Sequence, residues 1–85
     1  MDPKACFEAL LNAQINNDAY EINQYKSDLI NWLTNGGFAP EVQLLERGSH
    51  KTVNLIALTW AGDATIRFRN GRKRVVSLRS LATVD

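Results

Sequence analysis

An 85-residue chain with a formal net charge of +1 allows one small domain, residues 1–85, and only a thin stability margin, because a chain this size buries about 60–65% of its unfolded surface. Its 45% hydrophobic and 22% charged residues exclude a disordered or low-complexity chain. The longest nearly apolar run, residues 53–58, falls far short of the roughly 20 residues that span a bilayer.

The N-terminal Met1-Asp2-Pro3-Lys4 lacks the basic start and apolar stretch of a secretory signal. Cys6 is the single cysteine, which excludes an internal disulfide and fits a reduced compartment. A cytoplasmic protein without membrane contact is expected. The small net charge hides an asymmetry: residues 1–46 hold two basic and seven acidic residues, for −5, and residues 47–85 hold eight basic and two acidic, for +6. Such asymmetry bears on partners and not on fold.

The first helix is expected over residues 3–16. Asp2 is suited to accept hydrogen bonds from free amides of the first turn, and Pro3 loses no needed donor at the first helical position. Phe7, Leu10, Leu11 and Gln14 recur at helical spacing. After Asn16-Asn17, the pair Asp18 and Glu21 has capping-box spacing and opens a second helix over residues 19–35. Ile22, Tyr25, Leu29, Trp32 and Leu33 form its apolar side, and Asn35-Gly36-Gly37 stops it. So short a connection makes the two helices an antiparallel hairpin.

Beyond Pro40 the pattern turns to strand. Val42, Leu44 and Leu45 fit either a short strand over residues 42–45 or one helical turn. Strands are expected over residues 52–60, 64–69 and 73–79. The first of these is apolar on both sides in its middle and reads as a central strand covered on both faces. The fold class is therefore α+β: an N-terminal antiparallel helical hairpin packed on a C-terminal three- to four-stranded antiparallel β-meander. A helical hairpin followed by a small, partly closed β-barrel is the alternative.

Residues 66–76 join the strongest turn signal, Asn70-Gly71, to five of the ten basic residues. A two-residue turn pairs Arg67 with Arg74 and puts Arg67, Arg69, Arg72 and Arg74 on one face. A bulged turn with residues 70–72 as the loop pairs Ile66 with Val76 and Phe68 with Arg74, leaving Arg67, Arg69 and Lys73 outside. In either case Arg67, Arg69, Arg72, Lys73 and Arg74 are the candidate anion or nucleic-acid contacts, since guanidinium groups form paired bonds to phosphate. The plainer reading is a charged hairpin that stays soluble and guards a sheet edge.

No catalytic or metal-binding constellation stands out. His50, the only histidine, lies in a Gly-Ser loop without a nucleophile partner. Cys6 sits beside the Phe7/Leu10 stripe and reads as a small buried residue. No cysteines or histidines have metal-ligand spacing, and no metal, cofactor or enzymatic activity is expected. Trp32 and Trp60 are expected in the core or at its edge. Tyr20, Glu21 and Asp28 on the second helix form a candidate partner surface. The expectation is a small binding module that contacts a protein partner or forms a homodimer; the alternative is nucleic-acid binding through the basic hairpin.

Overall fold

Each helix begins and ends on a residue suited to the job. In the computed structural model, which describes residues 2–84, α1 (Pro3–Ile15) is capped by Asp2, whose carboxylate accepts from the Ala5 amide at 2.9 Å. It ends at Asn17, in the left-handed region at φ 56°. There the Asn17 amide donates to the Gln14 carbonyl and the Asp18 amide to Ala13, the Schellman pattern of closing bonds. Asp18 then caps α2 (Ala19–Thr34), accepting from the Glu21 amide at 3.1 Å. Gly36, at φ 83°, closes α2 with the same pair of bonds.

Five strands follow: β1 (Glu41–Glu46), β2 (Ser49–Leu58), β3 (Asp63–Arg67), β4 (Lys73–Ser77) and β5 (Leu81–Thr83), the last preceded by a 3-10 turn over Leu78–Ser80. They form one antiparallel sheet in the order β4-β3-β2-β1-β5. The sheet is open, with β4 and β5 at its edges, so the fold is the helical hairpin on an antiparallel sheet and not the barrel. The strand near Val42 is real and longer than expected. The additional strand, β5, returns beside β1 instead of extending the meander past β4.

The helices cover one face of this sheet. Phe7 and Leu10 of α1 and Leu29 of α2 bury against Val42, Leu44, Val53, Leu55, Ala64, Ile66, Leu78 and Leu81. The other face is left uncovered, so β2 is central but not buried on both sides. Its apolar residues fall on both parities for a different reason. A bulge between Leu55 and Ala57 inserts Ile56, and the pairing resumes as Ala57 with Thr65 and Leu58 with Ala64. One inserted residue flips the parity, so Val53, Leu55 and Leu58 all face the helices.

Two hairpin loops share one construction. In the β2–β3 loop the Thr59 amide donates to the Asp63 carbonyl and the Gly62 amide to Thr59; in the β3–β4 loop Phe68 donates to Arg72 and Gly71 to Phe68. Each is a three-residue loop closed by a left-handed glycine, Gly62 at φ 91° and Gly71 at φ 88°. Asn70 has no positive φ, which excludes the two-residue turn that its sequence suggests. Its side chain accepts from the Arg72 amide at 2.9 Å instead.

The loop is therefore residues 69–71, and Arg67 pairs with Lys73, Ile66 with Arg74 and Ala64 with Val76. Both registers expected from sequence are corrected by this pairing. It differs from the bulged alternative by two residues, an even shift that preserves which residues share a face.

Trp32 is half-buried, donating its indole N–H to the Phe38 carbonyl at 3.0 Å and meeting the Phe38 ring edge-on at 5.4 Å. Trp60, expected in the core or at its edge, is 57% exposed because it lies in the β2–β3 loop.

Two glycine substitutions should destabilise by separate routes in urea unfolding. At Gly71 an added Cβ meets nothing within 4 Å, so Gly71→Ala should cost about 1–2 kcal/mol through the left-handed backbone alone. At Gly37 the Cβ would stand 2.3 Å from the Trp32 indole nitrogen. Gly37→Ala should cost about 1–3 kcal/mol, and only this variant should shift the Trp32 indole N–H resonance.

Candidate binding surfaces

The hairpin register divides the five candidate cations. Arg74 stands opposite the buried Ile66 and so lies on the helix-covered side of the sheet, beyond the helices. Its guanidinium lies 5.0 Å from the centre of the Phe68 ring and donates to Glu46 at 2.6 Å. Lys51 reaches the same carboxylate at 3.5 Å and stands 6.0 Å from the Phe68 ring. Arg74 is thus strapped across Phe68 to β1, and its charge is answered inside the molecule by a strand glutamate.

Arg67 and Lys73 face the other way. They stand directly opposite each other on the uncovered face, both exposed. Asn54 pairs with Arg67 on one side and with Glu41 on the other, so one row across the sheet reads Glu41, Asn54, Arg67, Lys73. Arg69 is exposed in the loop and shares a shallow hollow with Lys51, Thr52, Phe68 and Asn70. Arg72 is exposed at the end of the loop. Among the described residues Arg67, Arg69, Arg72 and Lys73 have no carboxylate within 4.0 Å, since the ion pairs there both belong to Glu46.

A second surface lies at the α1–α2 turn. Leu11, Ile15 and Ile22 of the helices and Leu78, Leu81 and Ala82 of the returning chain line an open groove of about 530 Å³, with Gln14, Asn17 and Arg79 at its edges. Ile15 is 80% exposed on its rim. Sequence reasoning missed this groove because half of it comes from residues 78–82, which the return of β5 brings under the helices. The legible signal was the spacing of Leu11 and Ile15, which places both on one helix face.

Tyr20, Glu21 and Asp28 are all exposed, Tyr20 at 77%, yet none of the three lines the groove. Asp28 lies two turns further along α2 than Glu21. Arg79 sits at the groove and Lys51 pairs with Glu46, so neither joins Arg67 and Lys73 on the uncovered face.

His50 is exposed at the start of β2, inside the strand and not in a loop. Cys6 is buried and donates to the Tyr25 carbonyl at 3.3 Å. Burial, with a further push from Asp28, raises its thiol above the ordinary range, which opposes thiolate formation.

No protein-family model, curated protein or solved structure matches the chain, so the functional reading rests on these surfaces alone.

The hydrogen bond from Arg74, reinforced by Lys51, holds the Glu46 carboxyl below its ordinary range. A depressed carboxylate value means that this contribution is in place at neutral pH and is lost as pH falls through the folded-state midpoint. Carbon NMR should find Glu46 titrating below the usual value of about 4.3. Arg74→Gln should move that midpoint back toward it, whereas Arg67→Gln should leave it unchanged.

Proposed function

We propose that the chain is a non-enzymatic interaction module that assembles with a second copy of itself through the groove at the α1–α2 turn. One observation carries this reading: Ile15, an apolar side chain that lines an open and largely apolar groove, is 80% exposed. A patch that holds both an exposed apolar side chain and an apolar groove offers what each side of a two-fold interface needs, and two-fold pairs are the commonest protein assemblies. Each Ile15 brought from water into the partner's groove would contribute about 1.5–3 kcal/mol. That is a large gain for a chain whose small core leaves a thin margin.

Chemistry at the two reactive side chains is disfavoured by their placement. His50 is exposed at the β1–β2 end of the sheet, and Cys6 is buried between the helices and the sheet with its thiol pushed up. They lie on different elements, and neither lines the groove.

Sedimentation velocity across a concentration series tests the proposal. The native chain should pass from monomer to dimer as concentration rises. Ile15→Asp should remain a monomer with an unchanged far-ultraviolet spectrum. A native chain that stays monomeric throughout the series would overturn the proposal.

A further inference from the structure

The two faces of the basic hairpin are treated differently. On the helix side Arg74 is neutralised by Glu46. On the uncovered side Arg67 and Lys73 are set directly opposite each other, an arrangement that costs stability. The carboxylates of that face are distant. Glu41 is two strands from Arg67, about 10 Å, and Asp63 is four residues along β3, about 13 Å. At such separations exposed charges are largely screened at physiological salt. Arg69 adds a third cation in the adjoining loop, where it lines one shallow hollow with Thr52 of β2.

We propose that this uncovered face and the loop that continues it bind the phosphate backbone of duplex nucleic acid, with Arg67 and Lys73 of the face and Arg69 of the loop as cationic contacts and Thr52 as a hydroxyl partner. The kind of residues present fits such a contact. Arginine, lysine and threonine are backbone-contacting side chains, and an unpaired guanidinium offers paired donors to a phosphate. Besides Arg67 and Lys73, the side chains that the pairing places on this face are aliphatic, hydroxyl, amide, carboxylate and imidazole groups. None is a phenylalanine, tyrosine or tryptophan, and Phe68, which lines the hollow with Arg69, has its ring against Arg74 and Lys51, so the open aromatic platform that single-strand binders use is missing from the face. The face therefore positions a backbone without reading sequence. It does not involve the groove at the α1–α2 turn, so it stands whether or not the chain dimerises.

The test is binding to short DNA and RNA duplexes of mixed sequence across a salt series, with oligothymidylate and polyglutamate as comparison polyanions. Three phosphate contacts predict a slope of log affinity on log salt of about −2.7 on DNA, which is about a 40-fold loss between roughly 50 and 200 mM. Arg67→Gln and Lys73→Gln should each flatten the slope by about 0.9. Their thermal midpoints should be unchanged or raised, because each relieves a like-charge pair. Lys4→Gln, an equal charge change on the exposed start of α1, should leave the slope as it was. Ile15→Asp should also keep the slope, which separates this proposal from the dimer. No duplex binding at low salt, tighter binding to oligothymidylate than to duplex, or equal competition by polyglutamate would each overturn the proposal. So would a slope that Arg67→Gln and Lys73→Gln leave unchanged.

Discussion

A left-handed glycine at the end of a three-residue loop sets the register of the β3–β4 hairpin, and the distribution of charge on this protein follows from it. Gly71 supplies the positive φ that closes residues 69–71 as the loop. Only then does Arg74 fall opposite Ile66 and Arg67 opposite Lys73. A slip of one residue would exchange the faces of every side chain on β4, exposing Val76 and turning Lys73 toward Phe68. Gly62 does the same for the β2–β3 loop. Register on both sides of β3 is thus held by local backbone geometry as well as by the burial of Ala64 and Ile66.

From this register comes an uneven electrostatic arrangement. The acidic residues of the helices do not answer the basic second half of the chain, because the ion pairs among the described residues run from Glu46 of β1 to Lys51 and Arg74. That pairing gathers two cations and the Phe68 ring into one cluster past the end of the helices. Such an exposed network is weak in salt. Its greater consequence is spatial: it ties Arg74 to a carboxylate on the helix-covered side and leaves the other hairpin cations, on the loop and the uncovered face, without one. The groove lies elsewhere, at the α1–α2 turn, so the two candidate surfaces can act independently.

Much of the helical half was legible because its signals are local. Asp2, Asp18 and Gly36 act through bonds to residues within one turn, and Pro3 takes a first-turn position where no amide donor is needed. The sheet was legible only where alternation was uninterrupted. The Ile56 bulge disguised a one-sided strand as a two-sided one, since parity counted across an inserted residue gives the wrong face. Asn70-Gly71 misled for a related reason: Asn70 bonds the Arg72 amide through its side chain while Gly71 alone takes the left-handed conformation. The face of each hairpin cation was nonetheless recoverable from the bulged alternative, because the true pairing differs from it by an even number of residues. Of the groove only the helical wall, Leu11 and Ile15, was legible, since the other side depends on a long-range return of residues 78–82 that no local pattern announces.

The central claim is that the Gly71 register decides which cations face solvent together. Through-hydrogen-bond scalar couplings in a labelled sample measure it most directly. A coupling from the Phe68 amide nitrogen to the Arg72 carbonyl carbon, with a second from Gly71 to Phe68, is the predicted result. A coupling from the Arg69 amide to the Arg72 carbonyl would mean a two-residue turn at Asn70-Gly71. That result would place Arg67 opposite Arg74 and contradict the account.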